Sequence, residues 1–314
     1  MKKNNSFLRN FMDIYLANPR GFCAGVDLAI NIVNLAIKKY GPPIYIKHQI
    51  VHNSVVVDDV ESRGAITVNT VDEIPIGSVV VFSAHGSPPS DYEKAKKRNL
   101  TILDATCPLV TKVHNEAKKY STEGKKVILV GHKNHQEVIG TSGQAELDLI
   151  DDKRPTIPSY KKESEIVILT QTTLSVRDTS NAIKKVKNSY PNVTVRNDIC
   201  YATTNRQSAV ESLKNSVDLI LVIGANNSSN CNRLKETAIA AGKPAYLISS
   251  PEEIKSEWLD GIKKIGITSG ASTPESQVNN IVSFLSPENV HQDLKVREDV
   301  SFSIPRQLRF LVDK

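Results

Sequence analysis

Three cysteines lie at places where a predicted strand turns into a predicted helix. Cys107 shows the pattern most clearly, because it separates the β-branched run 101–106 from Pro108, a residue favoured at the first position of a helix. Unpaired amide N–H groups and the positive end of the helix dipole favour a thiolate there, and thiolates attack electrophiles or bind metals. Redox or metal chemistry is therefore predicted for the whole set, which is Cys23, Cys107 and Cys200.

A second group of polar residues recurs at the carboxyl ends of predicted strands. In open α/β sheets ligands bind in this zone, and helix N-termini with small hydroxyl residues bind anions. The residues are His52, His85, His135, Glu137, Thr172, Thr173, Ser228, Ser229, Asn230 and Ser272. They predict a phosphate or diphosphate site that shares one active site with the thiols. Plain helix caps and small core cysteines remain the alternative for each residue taken singly, and the role of His132 stays open.

The composition is that of an ordinary globular protein, with 314 residues of which 39% are hydrophobic and 24% are charged. No apolar stretch reaches the roughly 18 to 20 residues that cross a bilayer, and no signal-peptide pattern is visible, so we expect a cytoplasmic protein without membrane association. Four cysteines without a Cys-x-x-Cys pair do not indicate a disulfide framework. The net charge of +6 could suit nucleic acid, but the lysines lie mainly in solvated helix ends without interleaved aromatic residues or a binding motif, and a small anionic substrate fits the charge equally well.

Short β-branched runs alternate with helical periods from residue 13 onward, which predicts an α/β fold with parallel sheets covered by helices. One thiol falls in each of three stretches of similar length. The predicted organisation is an N-terminal extension, 1–12, expected to be disordered, three α/β units, 13–106, 107–199 and 200–285, and a tail, 286–314, that packs back on the body. Within the tail, alternation over 300–305 predicts an edge strand.

Several long motifs contain these residues and follow one another in a fixed order between residues 14 and 285. They are Ala17-Asn-Pro-Arg-Gly-Phe-Cys-Ala-Gly-Val-Asp27, Val51-His-Asn53, Ser83-Ala-His-Gly86, Asp104-Ala-Thr-Cys-Pro-Leu-Val-Thr-Lys-Val-His114, Thr170-Gln-Thr-Thr-Leu-Ser175, Asp198-Ile-Cys-Tyr-Ala-Thr-Thr-Asn-Arg-Gln207 and Asn227-Ser-Ser-Asn230. In this combination the chain resembles the LytB family of hydroxymethylbutenyl diphosphate reductases.

The resemblance implies a fold in which three similar α/β units form a cloverleaf around a central iron–sulfur cluster. Carried over by position, it implies a 4Fe-4S cluster with three protein ligands, Cys23, Cys107 and Cys200. One iron then has no protein ligand and is the place where the substrate binds.

The resemblance also implies the substrate contacts and the reaction. The diphosphate contacts are His52, His85, His135, Ser228, Ser229, Asn230 and Ser272. Glu137 and Thr172 line the substrate hydroxyl and, with His135, are the implied catalytic residues. The implied enzyme uses two electrons and two protons to remove the hydroxyl of 4-hydroxy-3-methylbut-2-enyl diphosphate, giving isopentenyl and dimethylallyl diphosphate at the end of the non-mevalonate isoprenoid route. The electrons come from an external donor such as flavodoxin or ferredoxin.

Three features depart from the family pattern. They are the basic N-terminal extension, Cys231 where the family commonly has another small polar residue, and Gln136 where a proline is common. We interpret Cys231 as a packing residue on the first turn of a helix, because a fourth thiolate would close the iron that the substrate needs.

Two other classes of function fit parts of the pattern. A phosphoryl-transfer hydrolase with a cysteine nucleophile needs one thiol beside a base and leaves two equivalent thiols without a role. A basic iron–sulfur or zinc protein that binds nucleic acid needs an aromatic or basic recognition surface, which the sequence does not show. Visible and EPR spectra of the protein purified without oxygen separate the three classes.

Overall fold

The computed structural model describes residues 12–292 and 296–311. They divide into two compact units. The five-strand unit comprises the described residues of 1–23, 52–54 and 201–300, and the eight-strand unit comprises those of 24–51, 55–200 and 301–314. Of the extension predicted to be disordered, residues 1–11 lie outside the described residues, and Met12 is fully buried.

The strands of the described residues are β1 (Asp13–Leu16), β2 (Ile44–Lys47), β3 (Ala65–Val68), β4 (Val79–Phe82), β5 (Thr101–Asp104), β6 (Lys126–Val130), β7 (Asp148–Ile150), β8 (Ile166–Thr170), β9 (Val193–Val195), β10 (Leu219–Ile223), β11 (Ala245–Ile248), β12 (Lys264–Ser269) and β13 (Asn289–Gln292). The α-helices are α1 (Ala24–Tyr40), α2 (Ser54–Ser62), α3 (Pro89–Lys97), α4 (Pro108–Thr122), α5 (Gln136–Ser142), α6 (Val176–Ser189), α7 (Tyr201–Leu213), α8 (Ser229–Ala240) and α9 (Glu275–Leu285). Short 3-10 helices cover Val71–Glu73, Pro251–Glu253, Ser256–Trp258 and Arg306–Leu311.

The five-strand unit contains one parallel sheet with the strand order β11-β10-β12-β1-β13. Its strand β10 is buried along its whole length. Leu221 belongs to one hydrophobic cluster and Val222 to another, so the sheet is covered on both faces. Each fully buried Leu, Ile or Val side chain contributes about 1.5–3 kcal/mol, which holds the carboxyl ends of the strands in a fixed row.

The eight-strand unit contains two four-stranded parallel sheets, ordered β3-β2-β4-β5 and β7-β6-β8-β9. The sheet that contains strand β8 is also covered on both faces, since the neighbouring residues Ile168 and Leu169 belong to different hydrophobic clusters. The α/β class with three small parallel sheets is therefore confirmed. Because every pair is parallel, the turns that follow the strands of one sheet lie at one edge of that sheet.

The tail differs from the sequence-based prediction. No strand covers 301–305, where Phe302 and Ile304 are half-buried but take part in no sheet. The strand in the tail is instead β13, which is exposed and pairs with β1. Helix α7 begins at Tyr201, directly after Cys200. The unit boundaries at 106, 199 and 285 stay a prediction. Among the helices of the described chain, none is long and apolar enough to cross a membrane.

Candidate functional site

Cys107 lies at the N-cap of α4, as predicted, with Pro108 at the first helical position. Its backbone N–H donates to the carbonyl of Ala84 at 3.0 Å, and its own carbonyl accepts from the N–H of Thr111 at 2.9 Å. The first bond holds the residue against the turn after β4, and the second starts the helix. The thiol is therefore presented by a rigid turn at the positive end of a 15-residue helix.

Cys200 immediately precedes α7, and its N–H donates to the carbonyl of Thr172 at 3.0 Å. Two positions earlier the fully buried Asp198 side chain accepts a hydrogen bond from Lys112 Nζ at 2.9 Å. Lys112 lies on α4, so this ion pair joins the helix that follows Cys107 to the segment that ends at Cys200. Burial raises the pKa of the Asp198 carboxyl, and the Lys112 ammonium opposes that shift.

Cys23 belongs to the five-strand unit and precedes α1. Its N–H donates to the carbonyl of Ala271 at 3.2 Å. The N–H of Ala271 in turn donates to Asn230 Oδ1 at 3.1 Å, and Gly21 donates to Ser269 Oγ at 2.8 Å. The turn after β12 thus holds the Cys23 loop and the start of α8 together.

All four cysteines are free of disulfides, and their burial separates them into two classes. Cys23, Cys107 and Cys200 are half-buried, whereas Cys231 is fully buried on the first turn of α8. Burial raises the pKa of the Cys231 thiol. Its sulfur fills the space beside two glycines, where an added Cβ would lie 2.3 Å away at Gly224 and 2.2 Å away at Gly270. The interpretation of Cys231 as a packing residue is confirmed.

A buried acid lies in the eight-strand unit, where Glu137 contacts Thr172. The carboxylate accepts hydrogen bonds from the Thr172 N–H at 2.6 Å and from the Thr172 hydroxyl at 3.0 Å. Burial raises the pKa of Glu137 to about 7, against the lowering effect of both hydrogen bonds. The side chain therefore exchanges a proton near neutral pH, as a general acid requires.

His135 lies next to that acid as the N-cap of α5. Its Nδ1 accepts the N–H of Glu137 at 3.2 Å, so the proton of the neutral ring is on Nε2. The ring meets that of His85 edge to face, with centroids 6.1 Å apart. Both rings lie at carboxyl ends of strands in the same unit, the zone where ligands bind in parallel α/β sheets.

Gly86, the residue after His85, has a φ of +79°, and an added Cβ would lie 2.6 Å from Cε1 of His114. Only glycine fits this turn. His114 is buried in α4, where burial lowers its pKa to about 4. The neutral imidazole therefore serves as packing beneath the turn that carries His85.

The remaining predicted anion contacts lie in the five-strand unit. The carbonyl of His52 accepts the Ser272 hydroxyl at 3.1 Å, and burial lowers the pKa of the His52 imidazole, so the ring is neutral at pH 7. Ser228 caps α8 by accepting the N–H of Cys231 at 3.3 Å, and Ser229 is the first helical residue. Asn230 also donates from Nδ2 to Thr203 Oγ1 at 3.4 Å. Hydroxyls, an amide and helix N–H groups thus converge at one edge of one sheet.

The structure brings the predicted residues together as two sets, one in each unit. The eight-strand unit holds Cys107, Cys200, His85, His135, Glu137 and Thr172, and the five-strand unit holds Cys23, His52, Ser228, Ser229, Asn230 and Ser272. The sequence did not single out the supporting ion pair of Lys112 and Asp198, although both residues lie inside motifs that carry a cysteine. His132, whose role the sequence left open, forms a hydrogen bond between its Nε2 and Oδ1 of the buried Asp152 at 3.0 Å. Asp151 lies nearby, and the potential metal-ligand atoms of these three side chains all lie within 4.8 Å of one another.

Comparison with known proteins gives a consistent result. The family model described as LytB protein matches residues 14–286. A 4-hydroxy-3-methylbut-2-enyl diphosphate reductase of Azotobacter vinelandii is 46% identical over 310 residues, covering 95% of this chain and 98% of that protein. The protein with the same name from Haemophilus ducreyi is 48% identical over 310 residues, with the same coverage of 95% and 98%.

Two solved structures are similar as well. The E-1-hydroxy-2-methyl-but-2-enyl-4-diphosphate reductase of Plasmodium falciparum has a TM-score of 0.91 and 35% identity, covering 97% of this chain and 99% of that chain. A second structure, named (E)-4-hydroxy-3-methyl-but-2-enyl diphosphate reductase and described as the terminal enzyme of the non-mevalonate pathway, has a TM-score of 0.63 and 31% identity, covering 88% and 99%. With the family model matching most of its length and relatives above 45% identity along nearly all of it, this chain belongs to the LytB family.

Proposed function

We propose that this chain reduces 4-hydroxy-3-methylbut-2-enyl diphosphate to isopentenyl and dimethylallyl diphosphate, the last step of the non-mevalonate route. The relatives named for this activity span nearly the whole chain. The observation that carries the proposal is the buried acid Glu137, whose pKa of about 7 is suited to delivering a proton to a leaving hydroxyl. Reductive loss of that hydroxyl as water consumes two electrons and two protons, and one proton leaves with the oxygen.

The cysteines fit an iron–sulfur cluster. Three half-buried thiols at helix N-termini have the chemistry of cluster ligands, and the fourth, Cys231, is packed in a hydrophobic core. We propose that Cys23, Cys107 and Cys200 hold a 4Fe-4S cluster and leave one iron without a protein ligand. When bound, such a cluster supplies electrons and a Lewis-acidic iron for cleavage of a carbon–oxygen bond.

Thr172 and Glu137 form the proposed path for the proton. The hydroxyl of Thr172 lies 3.0 Å from Glu137 Oε2, and a hydroxyl can accept one proton while it donates another. A protonated Glu137 can therefore pass its proton to Thr172 Oγ1, which passes its own to the hydroxyl of the substrate. The Thr172 N–H, 2.6 Å from Oε1, stabilises the carboxylate that remains.

The diphosphate is the proposed ligand of the remaining polar groups. In the eight-strand unit these are His85 and His135, and in the five-strand unit they are His52, Ser228, Ser229, Asn230 and Ser272. His52 is neutral before binding because burial lowers its pKa, and a diphosphate beside it would favour the protonated form. Binding is therefore expected to take up a proton at His52.

Electrons must come from outside the chain, and we propose a small redox protein such as flavodoxin or ferredoxin as the donor. Thiolate ligands also require a reducing compartment, which makes the cytoplasm the proposed location.

The test is a spectrum and an assay on chain purified without oxygen. We expect visible absorption and an EPR signal typical of a 4Fe-4S cluster, and formation of both isomeric products when a reduced viologen supplies electrons. Chain that holds no iron after reconstitution, or that holds iron and leaves the substrate intact, would contradict the proposal.

A further inference from the structure

Arg206 on α7 has the largest fully buried side chain among the described residues. A buried guanidinium is costly unless a carboxylate and several acceptors compensate its charge. Here the carboxylate is Glu298, whose two oxygens accept hydrogen bonds from Arg206 Nη1 at 2.9 and 3.1 Å. Asn205 Nδ2 donates to the same carboxylate at 3.1 Å, which fixes its orientation.

The other end of the guanidinium contacts the loop that carries Cys23. Arg206 Nη2 donates to the carbonyl of Gly21 at 2.8 Å and to that of Phe22 at 3.4 Å. These are the two residues immediately before the cysteine. The Cys23 N–H donates to the carbonyl of Ala271 at 3.2 Å, but that bond joins two neutral groups, whereas the bonds from the guanidinium are charge-assisted and stronger. The charged donor is therefore a principal support of this loop.

The segment 296–298 contacts the beginning of the same loop as well. Asn18 Nδ2 donates to the carbonyl of Val296 at 2.8 Å. The loop 18–23 is thus held at its start by Val296 directly and at its end by Glu298 through Arg206. All of these residues belong to the five-strand unit.

Without its carboxylate, the guanidinium would be buried with only carbonyl acceptors. An uncompensated buried charge favours any movement that restores water or a new counter-ion. For Arg206 such a movement means giving up the carbonyls of Gly21 and Phe22. The Cys23 loop then keeps fewer restraints, while Cys107 and Cys200, whose backbone bonds lie in the eight-strand unit, keep theirs.

We propose that Glu298 is a positioning residue for Cys23 and acts through Arg206. The proposal rests on the proposed function in one respect, the role of Cys23 as a cluster ligand. Glu298 touches neither the substrate nor the cluster in this scheme. Its effect is to keep one thiolate in place, so its removal should release Cys23 selectively.

The experiment compares full-length wild type with Glu298→Ala and Glu298→Gln, all purified without oxygen. Glu257→Ala is the matched control, because Glu257 is exposed in the same unit and pairs with the exposed Lys255 at 3.9 Å. Two rates are measured: iron release to bathophenanthroline from the cluster-loaded chain, and alkylation of each cysteine by iodoacetamide in the cluster-free chain, resolved by mass spectrometry of the peptides. Circular dichroism confirms that each chain is folded.

We expect Glu298→Ala to speed iron release and the alkylation of Cys23 by about tenfold or more, the factor that one charge-assisted hydrogen bond carries in an equilibrium constant. Alkylation of Cys107 and Cys200 should change by less than about twofold, and Glu257→Ala should match wild type. Glu298→Gln keeps one acceptor oxygen and should lie between wild type and Glu298→Ala. If Glu298→Ala does not fold, the Gln variant decides.

Two results would overturn the proposal: a Cys23 rate equal to wild type in the folded variant, or an equal acceleration of all three thiols, which would mean general loosening. Failure of the proposed function looks different. In that case wild type releases no iron, and the ratio of the Cys23 rate to the Cys107 rate still reports on Glu298.

Discussion

The Glu137 carboxylate accepts two hydrogen bonds from a single residue, Thr172, one from its N–H at 2.6 Å and one from its hydroxyl at 3.0 Å. Both bonds favour the ionised acid, yet complete burial outweighs them and brings the pKa to about 7. An acid with a pKa near 7 gives up its proton readily and recovers it from neutral solution. That property distinguishes a proton donor from an ordinary structural carboxylate.

Glu137→Gln should therefore abolish proton delivery while it keeps the shape of the pocket. We expect turnover to fall by about 10²–10⁴-fold, the usual contribution of a general acid. In wild type the rate should decline above pH 7, because the carboxylate form, which has no proton to give, accumulates there. The measurement is the pH profile of turnover with a reduced viologen as electron donor.

Thr172→Val is the companion variant, since it removes the hydroxyl of the proton path and keeps the backbone N–H. Infrared titration gives an independent reading: a protonated carboxyl band should vanish as the pH rises through 7 and be missing in Glu137→Gln. A turnover profile that is flat between pH 6 and 9 would show that Glu137 is not the rate-determining proton donor.

The three half-buried cysteines should behave alike and differ from the fourth. Changing Cys23, Cys107 or Cys200 to Ser should cost both iron content and turnover, because each thiolate is expected to hold one iron. Cys231→Ser is the control, since its thiol fills the space against Gly224 and Gly270 in a hydrophobic core. Iron and sulfide analysis and the visible spectrum provide the measurement. Full iron retention in one of the first three variants would remove that residue from the ligand set.

Local signals explain what the sequence could predict. The N-cap position of Cys107 follows from its strand, Pro108 and a helical period, all within a few residues, and the structure agrees. The alternation over 300–305 was misleading, because half-buried side chains at Phe302 and Ile304 mimic a strand without a partner. Strand β13 could not be recognised, since its residues are exposed and it forms by pairing with the distant strand β1.

The supporting contacts of the site were beyond sequence reasoning for a different reason. Arg206 and Glu298 are separated by 92 residues, and nothing in the local pattern around either one indicates the other. Lys112 and Asp198 are 86 residues apart and present the same difficulty. Motifs identify side chains that carry chemistry, whereas the residues that hold them in place depend on how distant segments pack.

The proposed diphosphate contacts should affect affinity rather than the cluster. Replacing His52, His85 or His135 by Asn should each weaken pyrophosphate binding by about 1.5–3 kcal/mol, the range for hydrogen bonds to charged groups. Calorimetry measures this, and visible spectra check that the cluster is unchanged. His291→Asn is the control, because His291 stacks on Tyr15 at the exposed strand β13. Unchanged pyrophosphate affinity in all three variants would place the anion site elsewhere.

The direction of the pH effect on binding follows from His52. Its pKa is lowered by burial, so the ring is neutral in the ligand-free chain at pH 7 and gains a proton when an anion binds beside it. Wild-type affinity should rise more steeply than that of His52→Asn as the pH falls. Calorimetry in buffers of different ionisation enthalpy counts the protons taken up, and the difference between the two chains removes the titration of pyrophosphate itself.

The ion pair of Lys112 and Asp198 should stabilise the eight-strand unit and the segment before Cys200. Among the described residues, Lys112→Met leaves the fully buried Asp198 carboxylate with the hydrogen bond from the Thr170 N–H at 3.4 Å. Because Lys112 is itself 44% exposed, water replaces part of the lost interaction, and we expect a loss of about 1–2 kcal/mol in the free energy of unfolding. Urea denaturation of the cluster-free chain, followed by circular dichroism, measures it.

The loss in the free energy of unfolding caused by Lys112→Met should depend on pH. The pKa of Asp198 is already raised by burial, and Lys112, which opposes the shift, is missing in Lys112→Met. An acid whose pKa is higher in the folded state costs stability once the pH exceeds its unfolded value, so the destabilisation should be small near pH 4 and grow toward neutral pH. Lys119→Met, which removes an exposed lysine 4.0 Å from Glu123, should cost little at either pH. An equal loss in the two lysine variants would show that Asp198 does not depend on Lys112 for its charge.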